Sequence, residues 1–278
     1  MNSELGMLQT RAFDSYELLA EYATTWDIDF IQLNPGPFHA HFTQFIDSDF
    51  LFSKSYFANH HHKRGTAPKG KINISIHHAN SVANTWRYLT CPLNAITIYP
   101  DNNELQSVSM PGMCKFTLSF DEDFLQRISE KIGLPPLEEY CIKGRMALCE
   151  STQLSYLQDY LNGLTRYLVD RDHRAETAPI GQEIKTEVAR LLLITLAASE
   201  QEQSEKKQTE RVKAVGEVMG LVHSRPAVLP SVLELSAATG LSEGKLRELF
   251  YNIFQTEPEH YLESYQKNMV QKFLGGIR

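Results

Sequence analysis

The segment Leu229–Leu262, LPSVLELSAATGLSEGKLRELFYNIFQTEPEHYL, constrains this chain more than any other stretch. Val232, Leu233, Leu235 and Ala238 form a short apolar stripe at helical spacing, and Ser231 stands where that helix would be capped. Thr239-Gly240-Leu241 follows, with Gly240 suited to the left-handed backbone that ends a helix and turns the chain. Ser242 is then placed to cap a second helix carrying Leu246, Leu249, Phe250 and Ile253 on one face. The other face presents Glu243, Gly244, Lys245, Arg247, Glu248 and Asn252. Two short helices joined by a glycine turn predict a helix-turn-helix. In such a unit the first helix braces the second, whose N-terminal half enters a DNA major groove. The same pattern also fits a helical hairpin that only packs.

The anchors Leu235, Ala238, Gly240-Leu241-Ser242, Leu246, Phe250, Phe254, Pro258 and Tyr261-Leu262 resemble the first helix-turn-helix of the AraC/XylS (arabinose-regulator) family of bacterial transcription factors. That resemblance implies a one-component regulator acting on double-stranded promoter or operator DNA. Its family normally carries two such units joined by a long linker helix. Tyr261–Leu274 matches the linker's position, and the sequence stops at Arg278, so a truncated region without the second unit is expected. Gln266 and Val270 stand where the linker usually has arginine and alanine, and Gln255-Thr256 replaces a glycine turn. Gly244 and Glu248 occupy positions where bulkier or basic residues often read bases or phosphates. The expected DNA-contacting set is Ser242, Gly244, Lys245, Arg247, Glu248 and Asn252. Lys245 and Arg247 would be the main base or phosphate contacts, Ser242 a cap and phosphate donor, and Glu248 an acceptor for a cytosine amino group.

Charge works against tight binding. The formal net charge is −7, and residues 211–278 hold eight Lys/Arg against seven Asp/Glu, so that part is only +1. A duplex binder draws most of its affinity from neutralised phosphates, so one weakly basic unit needs a second copy, and a homodimer is expected.

Residues 30–120 alternate in the manner of strands. Ile72/Ile74/Ile76 against Asn73/Ser75/His77 is the cleanest case, joined by Phe50/Phe52, Ala95–Tyr99 and Cys114/Phe116/Leu118/Phe120. Turn signals such as Asn34-Pro35-Gly36-Pro37 and Pro68-Lys69-Gly70 separate them, predicting an antiparallel barrel or jelly roll. Gln32–Phe38 opening the first strands resembles the cupin-like sensor half of the same family. This implies a small-molecule effector. Beyond Asp121 the pattern turns helical, with helices expected over Asp121–Ile132, Ser151–Asp170 and Gly181–Ser199. The broad apolar face of the last (Ile184, Val188, Leu191, Leu192 and Thr195, widened by Leu193, Ile194 and Leu196) fits either a homodimer contact or packing on the barrel. The expected architecture is α+β: a cupin-like antiparallel β-barrel over 1–120, a helical, possibly dimerising segment over 121–199, a polar linker over 200–210, and an all-α helix-turn-helix region over 211–278.

The histidines are the remaining chemistry. His39 and His41 form an HxH pair on one strand face, the weak candidates for a ligand site. Metal-binding cupins follow such a pair with a carboxylate, but Gln44 and Phe45 stand there and Asp47 falls in a turn. The run His60-His61-His62-Lys63-Arg64-Gly65 reads as a solvated loop, and His77-His78 as pocket-lining or surface residues. Cys91, Cys114, Cys141 and Cys149 lack metal or disulfide spacing and are expected as buried thiols. No nucleophile elbow, P-loop or dinucleotide fingerprint appears, so neither an enzyme nor a cofactor or metal is expected. Without a membrane-spanning apolar run or a signal peptide, a cytoplasmic location with no membrane partner is expected. Two other readings stay open: a truncated module that pairs with full-length regulators without binding DNA itself, and a cupin-type metalloenzyme built on His39 and His41.

Overall fold

The computed structural model describes residues 7–22, 26–100, 104–173, 181–201, 210–224 and 228–275. Its strands are β1 (Met7–Phe13), β2 (Asp27–Gln32), β3 (Ala40–Ile46), β4 (Phe50–Phe57), β5 (His61–Thr66), β6 (Lys71–His77), β7 (Asn84–Trp86), β8 (Leu89–Cys91), β9 (Ala95–Tyr99), β10 (Glu104–Ser109), β11 (Met113–Asp121), β12 (Arg145–Leu148) and β13 (Glu200–Gln201). They make two antiparallel sheets. Sheet A runs β1-β3-β4-β11-β6-β9-β12-β13 and sheet B runs β2-β5-β10-β7-β8. The expected barrel is therefore not closed among the described residues: the chain forms two facing sheets, each with its own edges. Phe30 of β2 packs against Phe57 of β4, and Phe57 against His61 of β5, with ring centroids 5.7 and 4.4 Å apart across the gap.

Helices cover both outer faces. On sheet A lie α2 (Glu122–Lys131), α4 (Ser151–His173) and α5 (Gln182–Ala197); α1 (Tyr16–Tyr22) and the short α3 (Leu137–Tyr140) flank the sheets. Ile72, Ile74 and Ile76 of β6 and Phe116, Leu118 and Phe120 of β11 point into this layer, where they meet Leu125, Leu157, Leu161, Leu192 and Leu196. The broad apolar face of α5 is thus consumed inside the subunit, with Val188, Leu192, Leu193 and Leu196 fully buried. This is the packing alternative of the two readings.

Strand alternation then has an unusual consequence. Because the apolar residues of β4, β6 and β11 face the helices, their neighbours face sheet B. Those neighbours are polar and also buried: Ser53, Ser55, Asn73, Ser75, Lys115, Thr117 and Ser119. The interior between the sheets is therefore lined, on this side, by hydroxyls, amides and a lysine as well as by Phe42, Leu51 and Phe57.

The remaining helices are α6 (Glu210–Ser224), α7 (Val232–Thr239), α8 (Glu243–Phe254) and α9 (Pro258–Gly275). They pack on the outer face of sheet B. Sheet A extends beyond residue 120 through β12 and β13, the latter using the first two residues of the expected linker. Residues 202–209 of that linker lie outside the described residues. All four cysteines are buried thiols, and burial pushes Cys141 and Cys149 up to about 12. No described helix is long and apolar enough to cross a membrane.

Candidate functional site

The helix-turn-helix forms from local chemistry. Ser231 accepts from the Glu234 amide while the Glu234 carboxylate accepts from the Ser231 amide, a reciprocal capping box. Gly240 closes α7 at φ 70°, ψ 7°, the left-handed region that a side chain would strain. Ser242 accepts from the Lys245 amide and starts α8. Leu246, Leu249, Phe250, Ile253 and Phe254 are buried. Ser242, Gly244, Lys245, Glu248 and Asn252 are exposed and Arg247 is half-exposed, so α8 brings all six sequence-derived residues to its outer side.

The two cations on that surface are already engaged. Lys245 Nζ lies 2.9 Å from Glu248, one turn on. Arg247 is held by Glu257 at 3.2 Å and by a close bidentate contact with Glu259 at the start of α9. Hydrogen bonds donated to Glu259 and Glu257 keep the Arg247 guanidinium above its ordinary range, and Arg247 in turn holds the Glu259 carboxyl low. A phosphate approaching α8 must displace these carboxylates or tolerate them.

The unit is also docked. Ile31 and Leu33 of the β2 segment and Val108 of β10 join one apolar cluster with Val215, Val218, Phe250, Phe254 and Tyr261. At its centre, His62 Nε2–H donates to Gln106 at 2.8 Å, leaving Nδ1 to accept from the Tyr261 hydroxyl at 2.8 Å. His260 donates to the Leu33 carbonyl at 3.0 Å, and Asn268 to the Phe30 carbonyl. Backbone acceptors at the edge strand β2 are thereby satisfied by α9.

The histidine run corrects the sequence expectation. His60, His61 and His62 are not a solvated loop. They are buried, and the last two open β5 between β2 and β10. Burial drives His61 and His62 down to about 3 and His60 to about 4, so all three are neutral at pH 7. Gly65 ends the run because β2 crosses so closely that a Cβ there would sit 1.9 Å from the Asp27 carbonyl oxygen. His39 and His41, by contrast, are exposed. Among the described residues no group of three or more His, Cys, Asp or Glu is placed to hold a metal.

Alternation along β5 sends His62 outward to the helices and Lys63 inward. Lys63 and Lys115 meet in a cavity of about 50 Å³ between the sheets, walled by Trp26, Phe30, Phe42, Tyr99, Gln44, Ser53, Ser55 and Thr117 among others. Both lysines are buried, at 7% and 4% exposure. Burial and the neighbouring Lys115 hold Lys63 well below the ordinary lysine range. Sequence reasoning missed this pair. The usable signal was a lysine inside Met113–Phe120, an otherwise apolar and hydroxyl-bearing strand.

No protein-family model matches the chain, and no curated protein matches it. Solved structures offer distant likenesses. The crystal structure of the AraC-like transcriptional activator CuxR is 12% identical, over 97% of this chain and 96% of that one, with a TM-score of 0.49. ToxT from Vibrio cholerae O395 is 9% identical, over 99% of this chain and 84% of its own, with a TM-score of 0.28. A second ToxT structure, bound to (E)-4-(8-methylnaphthalen-1-yl)but-3-enoic acid, is 9% identical over 94% of this chain and 100% of its own, with a TM-score of 0.25.

Proposed function

We propose that this chain is a one-component transcriptional regulator of the AraC/XylS type, non-enzymatic, cytoplasmic and dimeric, which reads DNA with α8 and senses a small molecule between its sheets. The observation that carries this reading is the doubly capped α7–α8 unit, whose Ser242–Asn252 surface stays exposed while its back is fastened to the sensing half. A recognition helix needs that combination of rigid support and a presented outer face. Docking on sheet B gives the sensing half a direct mechanical grip on the reading unit.

A second reading has one observation in its favour. Lys245 and Arg247 are both paired with carboxylates of the same unit, which suits a module that pairs with other regulators and does not itself hold DNA. Fluorescence anisotropy of the purified full chain separates the two. Its own upstream duplex and a scrambled duplex would be titrated at several salt concentrations. Selective binding that weakens with salt is expected of the regulator. Equal, weak binding to both duplexes would reject DNA reading and leave the pairing module.

A further inference from the structure

We propose that the cavity between the two sheets is a binding site for a short-chain carboxylate, whose anionic head sits between Lys63 and Lys115. The two lysines come from opposite walls. Lys63 lies on β5 of sheet B, in register with Phe30 and Ser107, and Lys115 lies on β11 of sheet A, in register with Ser55 and His77. Both side chains are buried and line the same cavity at the centre of the sandwich.

Two ammonium groups in a site shielded from water repel each other and lack solvation. Among the described residues, no carboxylate lines the cavity to offset them. Burial and the neighbouring Lys115 accordingly hold Lys63 well below the ordinary lysine range. An anion supplies the missing charge, and the hydroxyls of Ser53, Ser55 and Thr117 provide further donors around it. The size and walls select among anions. A volume of about 50 Å³ holds on the order of four water-sized groups. Trp26, Phe42 and Tyr99 offer an apolar enclosure for a short carbon chain, which inorganic phosphate would leave facing charge.

The inference rests on the sensing half of the proposed function and not on DNA contact. Calorimetry on the full chain without DNA therefore tests it separately from the anisotropy experiment. The probes are acetate, propionate and butyrate, their amides, and inorganic phosphate. The carboxylates are expected to bind, the amides not to bind, and phosphate to bind at least tenfold more weakly than the best carboxylate. An anion beside the lysines favours their charged form, so binding should be accompanied by proton uptake, and the heat will then vary with the ionisation enthalpy of the buffer. Lys63→Met and Lys115→Met replace each cation by an apolar chain of similar length, a change that folded proteins tolerate at buried charges. Both variants should keep a cooperative thermal transition and lose carboxylate binding at least tenfold. Equal binding of amide and carboxylate, undiminished binding in both variants, preference for phosphate, or no carboxylate heat at all would each overturn the assignment.

Discussion

Acid should destabilise this protein well above the pH at which its carboxylates titrate, because His60, His61 and His62 are buried as neutral rings. In the unfolded chain each imidazole protonates near 6.5, whereas in the fold burial holds His61 and His62 at about 3 and His60 at about 4. A depressed folded value means stability that is complete above 6.5 and lost as pH falls towards 3–4. At pH 6 each ring forfeits about 0.8 kcal/mol, and at pH 5 about 2 kcal/mol, or roughly 6 kcal/mol for the three. That is a large part of the 5–15 kcal/mol typical of a folded domain. Urea unfolding followed by circular dichroism at pH 7.5, 6 and 5 measures the loss directly. His61→Phe is the internal control. The ring already packs between Phe30 and Phe57, its Nδ1 meets the Asn59 carbonyl at 3.0 Å, and Nε2 has no partner. The phenyl variant should therefore fold and lose about 2 kcal/mol less than the parent between pH 7.5 and 5. Stability that stays level over this window, or a variant as acid-sensitive as the parent, would refute the buried-neutral assignment.

Glu257→Gln with Glu259→Gln removes the carboxylates that occupy Arg247, so DNA binding should tighten and its logarithmic salt dependence steepen by about one phosphate contact, read by anisotropy. An unaltered slope would mean that Arg247 faces no phosphate. Tyr261→Phe deletes the hydroxyl donating to His62 and should cost about 1–2 kcal/mol in urea unfolding, with faster amide exchange confined to α9 and β5. Lys185 on α5 bridges Asp47 and Asp49 at 2.7 and 2.8 Å across the β3–β4 turn. Burial opposes charge on both Lys185 and Asp47, yet the hydrogen bonds between them win, raising the lysine and lowering Asp47. The clamp is thus intact at neutral pH and fails when acid protonates Asp47 below its lowered value or alkali discharges Lys185 above its raised one. Lys185→Met should cost about 2 kcal/mol at pH 7, below the 3–5 of a fully buried pair because Asp49 is one-third exposed.

The parts of this fold legible in the sequence are those decided within a few residues. Ser231, Glu234, Gly240 and Ser242 specify caps and a turn through their own backbone contacts, so α7 and α8 follow from the letters. β9 coincides with Ala95–Tyr99, and α2 with the core of Asp121–Ile132, because period and punctuation agree there. The histidine run defeated the same reasoning. A strand covered on both faces shows no alternation, and His60–Arg64 looks hydrophilic until β2, β10 and α9 are packed around it. Lys63 and Lys115 were hidden for a related reason. They are more than 50 positions apart, and only the pairing of two sheets brings them together. Alternation in Ile72–His77 was visible, but which side would be wet was not, since helices claimed the isoleucines and the polar side turned inward.

The position of β5 has a consequence for modularity. One strand is at once the inner wall of the chamber and the mounting plate of the helix-turn-helix, with His62 and Lys63 adjacent in the chain but facing different compartments. A hybrid protein joining these helices to a foreign sensor at the 202–209 segment would therefore carry an orphaned surface. Functional grafts must transplant Ile31, Leu33, His62, Gln106 and Val108 along with the helices, so the unit of exchange is the helix-turn-helix together with the back of sheet B.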